Sequence, residues 1–434
     1  MSSVDREIPA GLQGGSGRGS SLPRLLQRFW AWIVGLTAFA WATTWFFVRV
    51  LKLRAYPFSS PLFQSFSYQF DYNCYSKRMK YFHQARFFNV PGTQAFSYPA
   101  LLALVYKFFY LFGKYGHPLF IATLIAAFSV GAALFARALI RRGIAQVTAF
   151  GFAAAVLITS YPAALTLYLA NMEGIVWIAT VLAMWAYAKD KIWTAAVLIA
   201  IAGAMKIYPM LYAGIFLPRK QYRQFALAIA VWIVINLVSL SVLGPTLPIA
   251  YHGLREGLMG FQQEYIYQFH LAESSMDHSL FGMLKLPILK LHLIQLLPLL
   301  SKFYLALGAV FGITLYVARM RHLPPTNLIL GLTIVSILLP PTSHDYTLLH
   351  LYAPWAMLTL YVIDHRGELA HPKAITWAMV CFVALFTPEN CLILRHLRVA
   401  GQFKCLTLVV LLVIVLRYPF EVSQRSDLSV ALPE

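Results

Sequence analysis

Acids are scarce in this 434-residue chain, sixteen against thirty-five lysines and arginines. Several stand with a histidine or a lysine at the ends of long uncharged stretches. Asp71 follows the first such stretch, and Asn171 and Glu173 lie at the end of a later one. Lys206 and Tyr208 interrupt another. Asp277 and His278 lie in a long connection, and His344 and Asp345 follow Pro340-Pro341. Carboxylates take protons, and lysine and histidine neutralise developing anions. Such groups at one depth could run acid–base and group-transfer chemistry. His350, about one and a half turns beyond His344, reads as a helix-packing residue. Glu173 and Asp345 also suit helix starts, where an acid meets the positive end of the helix, and Lys206 could simply snorkel.

The elements that must position these groups are membrane spans. Residues 29–48, 118–136, 143–172, 224–251 and 323–343 contain no Asp, Glu, Lys or Arg, and all reach the roughly 18–20 residues that a crossing helix needs. Apolar residues make up 59% of the chain and charged residues 12%, about half the roughly 25% of a soluble domain. The expected fold is all-α: a polytopic transmembrane helical bundle of about twelve spans with a long first extracytoplasmic loop. The net charge of +19 does not point to nucleic acid, because the basic residues punctuate apolar segments, as positive-inside sorting requires. Four cysteines give no disulfide or metal spacing, although Cys74 and Cys391 could meet outside the membrane. The first apolar run is too long for a signal-peptide core and reads as an uncleaved anchor.

The basic residues set the expected topology. Residues 1–28 form a cytoplasmic tail, rich in Gly and Ser and disordered to about Leu22; residues 421–434 form a second tail, and 29–420 a single membrane domain. Spans are expected near 29–48, 118–136, 146–164, 167–187, 222–243, 303–319, 325–341, 346–364, 373–388 and 403–418. Between Lys191 and Arg219 both ends should be inside, which predicts a hairpin of two short helices. Its apex falls at Lys206-Ile207-Tyr208-Pro209, where Pro209 disfavours continuous helix. Residues 97–113 are read as re-entrant or interfacial. The outer segment from Arg49 carries Lys52, Arg54, Lys77, Arg78, Lys80 and Arg86, a surface suited to anionic headgroups or to an amphipathic helix lying on the membrane. With this topology Asp71, Asn171, Glu173, Lys206, Asp277, His278, His344 and Asp345 share the outer face.

Four motifs in sequence then carry a resemblance. Phe70-Asp71-Tyr72-Asn73-Cys74-Tyr75 with Phe96-Ser97-Tyr98-Pro99, Lys206-Ile207-Tyr208-Pro209, Asp277-His278-Ser279-Leu280, and Pro340-Pro341-Thr342-Ser343-His344-Asp345-Tyr346 resemble, in order, motifs of glycosyltransferase family 87. The match as a whole runs from about residue 30 to 390. Tyr98-Pro99-Ala100 lacks the family's second proline, Asn171-Met172-Glu173 replaces Asn-Gly-Gln, and Asp277-His278 replaces Asn-Gln. The resemblance implies an inverting membrane glycosyltransferase of the GT-C type. It would move a hexose, mannose first, from a polyprenyl-phosphate sugar to a glycolipid or polysaccharide acceptor at the extracytoplasmic face of a bacterial inner membrane. It further implies Asp71 and His344 as catalytic groups, with Lys206, Tyr208 and Tyr98 at the donor phosphate. Asn171, Glu173, Asp277, His278 and Asp345 would contact sugar or acceptor. Neither a cofactor nor an obligatory metal is expected, nor nucleic acid as a partner. Two other readings use the same features: a transporter or flippase of lipid-linked saccharides, and a polysaccharide ligase or polymerase, for which the 389–402 loop with Arg395, His396 and Arg398 is short.

Overall fold

The computed structural model describes residues 22–52, 70–88, 90, 96–268, 276–365, 369–388, 393–394 and 397–420. The expected disorder of residues 1–21, the tail 421–434, and Arg54, Cys391, Arg395 and His396 lie outside them. Helix α1 (Arg24–Trp45) begins ahead of the expected residue 29 and runs on as a wider turn to Val50. The segment after it then forms the short α2 (Phe70–Ser76) and two single turns. Next come α3 (Ala100–Tyr110), α4 (Gly116–Ile140), α5 (Gln146–Thr159), α6 (Tyr161–Leu169), α7 (Glu173–Ala188) and α8 (Ile192–Met205). Then follow α9 (Tyr222–Leu243), α10 (Leu247–Phe261), α11 (Leu280–Lys290), α12 (Leu297–Ala318), α13 (Pro325–Leu338), α14 (Tyr352–Asp364), α15 (Pro372–Phe386) and α16 (Ala400–Arg417). The protein is an all-α polytopic membrane protein.

Six helical stretches are long and apolar enough to cross a bilayer, and the bent pair α5–α6 makes a seventh. Helices of 11 to 16 residues fill much of the rest, below the roughly 20 residues of a free-standing span. The expected spans at 146–164 and 167–187 are corrected here. Ser160 is extended, and Tyr161-Pro162 starts a new helix bent 59° from α5. Proline suits that first turn because its missing N–H would have had no helical partner. Ala170, at φ 52°, then ends α6 in the left-handed region. Thus α7 starts at Glu173, not at residue 167. The expected hairpin is present: α8 ends at Met205, and a tight helical run, Tyr208–Phe216, turns back beside it.

The core lies around α7, α8 and α13. From Asn327 to Leu338 every residue of α13 is buried. Asn327 secures the end of α16 by donating to the Val415 and Tyr418 carbonyls and accepting from the Phe420 amide. By contrast, α9 and α12 expose apolar side chains such as Leu237, Val238, Leu307 and Ile313, as lipid-facing helices do. Amphipathic α10 packs on the outer segment. A Cβ on Gly257 would come within 2.0 Å of the Phe96 carbonyl oxygen, so this glycine sets how closely α10 meets the segment leading to Tyr98.

Candidate active site

The break between α6 and α7 builds the first part of the site. Asn171 accepts the Glu173 amide hydrogen at 2.8 Å through Oδ1, capping the start of α7. Its Nδ2 donates to Asp71 Oδ2 at 2.6 Å. One side chain therefore fixes both the helix start and a carboxylate one hundred residues away. Asp71 is half-buried on α2. Burial pushes its carboxyl above the ordinary range, while Asn171, Lys206 and His344 pull it back.

The second part comes from the hairpin apex. Lys206 leaves the end of α8 in an extended conformation. Its ammonium donates to Glu173 Oε2 at 2.5 Å and lies 5.2 Å from the Tyr98 ring centre and 5.0 Å from that of Tyr346. Two rings and a carboxylate thus replace water around a buried cation. Tyr208 donates to Glu173 Oε1, and His350 Nε2 lies 2.7 Å from the same oxygen. Glu173 is completely buried. Expected as a sugar or acceptor contact, it instead stands behind Lys206, with its oxygens already taken. Tyr208 likewise turns its hydroxyl inward to Glu173 and His350, away from the donor phosphate that the motif suggested. His350, read from sequence as packing, belongs to this cluster. Its signal was only a histidine in an apolar stretch.

His344 comes to the same face. It is half-buried, 3.3 Å through Nδ1 from the Tyr346 hydroxyl, and bridged through its backbone to Asp277. Asp277 accepts the amide hydrogens of Ser279 and Ser343, each at 3.0 Å, and so ties the start of α11 to the His344 loop. His278 Nε2 lies 3.1 Å from Ser343 Oγ, and its Nδ1 lies 3.4 Å from Asp345 Oδ1. This carboxylate–imidazole–hydroxyl order resembles a nucleophile's support, but Asp345, His278 and Ser343 are all buried. The expected sugar-contact residues Asp277, His278 and Asp345 therefore form a bracket behind the site. Lys404, absent from the sequence reading, completes it at 3.0 Å from Asp345 Oδ1.

The open face thus gathers Asp71, Tyr98, His344 and Tyr346, with Lys206 just beneath. A carboxylate that can accept a proton faces cations that can take up negative charge. Along α7 and α14, which begin at or just after Glu173 and His350, runs an apolar cavity of about 160 Å³ lined by Trp177, Trp185, Tyr352 and Trp355. Among the described residues, no three His, Cys, Asp or Glu side chains group as metal ligands would.

No curated protein and no solved structure matches the chain. Residues 96–341 match the model of glycosyltransferase family 87, a stretch that holds Tyr98, Asn171, Glu173, Lys206, Asp277 and His278 and stops just before His344. Covering more than half of the chain, that match shows that this polytopic membrane protein belongs to glycosyltransferase family 87 and is a membrane glycosyltransferase.

Proposed function

We propose that the protein is an inverting hexosyltransferase that uses a polyprenyl-phosphate sugar, mannose first, to extend a glycolipid or polysaccharide acceptor outside the cytoplasm. The observation that carries this reading is the continuous link Asp71–Asn171–Glu173–Lys206. It couples a proton acceptor to a cation through one helix start. In the reaction the acceptor hydroxyl attacks the anomeric carbon, and Asp71 takes its proton. The bond from that carbon to the phosphate oxygen breaks on the opposite face, and its electron pair leaves with the phosphate. Lys206 and His344 stabilise that charge. Glu173, His350 and Tyr208 hold Lys206 in place. The raised Asp71 carboxyl is a stronger base than an ordinary one.

The basic clusters at the opposite helix ends, such as Arg137, Arg141 and Arg142, favour a site on the outer side of a bacterial inner membrane. A donor with one lipid-linked phosphate carries less charge than a nucleotide sugar, so turnover is expected to persist in EDTA. The test is transfer by purified protein in lipid from radiolabelled polyprenyl-phosphate hexoses to a crude lipid acceptor extract, with Asp71→Asn alongside. Transfer by the wild type alone supports both class and base. Transfer by both removes Asp71 from the mechanism. Transfer by neither, across donors, moves weight to a carrier of lipid-linked saccharides.

A further inference from the structure

Lys404 is completely buried near the start of α16, at its fifth residue. Its ammonium lies 3.0 Å from Asp345 Oδ1 and 4.7 Å from the Tyr161 ring centre. Among the described residues, neither oxygen of Asp345 has a hydrogen-bond partner, and neither does Lys404 Nζ. The 3.0 Å approach is therefore a charge contact without hydrogen-bond alignment. Among the described residues, the charges facing Asp345 are Lys404 and His278, the latter 3.4 Å away. Burial holds the His278 imidazole below its ordinary range, which leaves Lys404 as the charge opposite Asp345. Unpaired, a buried carboxylate is among the costliest groups in a protein interior.

Asp345 occupies a particular place. It opens the tight helical run Asp345–Leu351, directly after His344. That run carries Tyr346, one of the two rings around Lys206, and His350, which fixes Glu173. A single buried contact from the last long helix thus anchors the segment that delivers three groups to the site.

We infer that Lys404 is a positioning residue for transfer: through Asp345 it sets where His344, Tyr346 and His350 stand. It touches no substrate, and its effect on turnover rests on the glycosyl-transfer reading above. Lys404→Met alone leaves Asp345 buried and unpaired, and such a variant can fail to fold. The informative variant is Lys404→Met with Asp345→Asn, which removes both charges and keeps the shapes.

The experiment compares four full-length proteins in lipid: wild type, His344→Ala, the paired Lys404/Asp345 variant, and the combination. The paired variant is expected to lose roughly 10–100-fold in kcat, the scale of a misplacement of about 1 Å. In the His344→Ala background the same change is expected to cost several-fold less than in the wild type, because one of the three groups that it positions is already gone. An equal loss in both backgrounds, or none in either, overturns the inference. Hydrogen exchange of the backbone amides 345–351 supplies a second arm that needs no activity. It should speed up about ten-fold or more in the paired variant while α13 stays protected. Unchanged exchange overturns the inference even if no donor is ever transferred; absent transfer with faster exchange overturns the activity reading alone.

Discussion

Two buried clusters in this protein each join a carboxylate, a lysine and a histidine, and do different things. In one, Glu173 holds Lys206 and His350; in the other, Asp345 faces Lys404 and His278. The first carboxylate takes hydrogen bonds from a lysine and a tyrosine and lies within reach of an imidazole. The second takes none. Lys206 borders half-buried Tyr98 and Tyr346 and, past them, Asp71. Lys404 sits against Tyr161 in the closed interior. Composition is therefore a poor guide to role. Hydrogen-bond saturation and access to the open face separate a cation that can meet a substrate from one that holds a segment in place.

The largest effect should come at the carboxylate that the first cluster serves. Asp71→Asn is expected to cut transfer by roughly 10²–10⁴-fold, the usual worth of a general base. Folding should move the other way. A carboxyl whose folded pKa is raised loses stability as pH climbs from the unfolded value, about 3.9, to the folded one. Above that the full cost persists. Asparagine removes the cost, so the melting temperature in detergent should hold or rise. The same shift sets the pH profile. The base must be ionised, so the acid limb of kcat/KM should lie above the ordinary carboxylate range and vanish from the residual rate of Asp71→Asn.

Next comes the centre of the open cluster. Glu173→Ala strands Lys206 without its carboxylate and should destabilise the fold by about 3–5 kcal/mol, as breaking a buried pair does. Glu173→Gln keeps the volume and one acceptor, and should fold better while still losing most transfer. If Glu173→Gln transferred normally, the saturated cluster would have no bearing on catalysis, and the contrast with Asp345 would collapse.

What the sequence announced and what it hid follow from the same physics. A charge inside an apolar stretch is costly, so Lys206 stood out at once, while Asp71, Asp277 and Asp345 stood out as scarce acids at the ends of such stretches or in the connections between them. The hairpin was legible because Lys191 and Arg219 fixed both its ends and Pro209 marked its apex. Partners were not legible. A histidine in a helical stretch looks alike whether it packs or binds a carboxylate, so His350 passed for filler. Lys404 is the one charge in α16 before its last residue, and that rarity was its only signal. Nor did any rule say that Glu173 and Asp345 would face inward. The shifted start of α7 came from the left-handed Ala170, a conformation that alanine seldom announces.

The two histidines sharpen the comparison at a smaller scale. His350→Ala removes one partner from a carboxylate that keeps Lys206 and Tyr208. It should lower kcat by about ten-fold with a modest change in melting temperature. His278→Ala takes an imidazole from between Asp345, Ser343 and Thr347 and opens a cavity in the bracket. It should cost more stability, about 2–4 kcal/mol, with loss of activity tracking loss of fold. The reverse ranking, measured by melting and single-turnover transfer, would exchange the roles given to the two clusters.

The smallest effect is expected at a third acid–base pair, which separates burial from geometry. Arg142, just past α4, reaches Asp364 at the end of α14 with two hydrogen bonds of 2.5 and 2.7 Å. By geometry alone this is the best-formed ion pair in the described residues, a fork of the kind that binds carboxylates tightly. Its side chains are about one-third exposed, at 32% and 36%, and it lies at the opposite ends of the helices from the Lys206 cluster. Water competes for both partners, so Arg142→Gln should cost less than about 1 kcal/mol and leave transfer at the wild-type rate. If it instead matched Glu173→Gln in lost turnover, alignment rather than burial and access would be the property that matters. The poorly aligned contact between Lys404 and Asp345 would then have to be the weakest of the three.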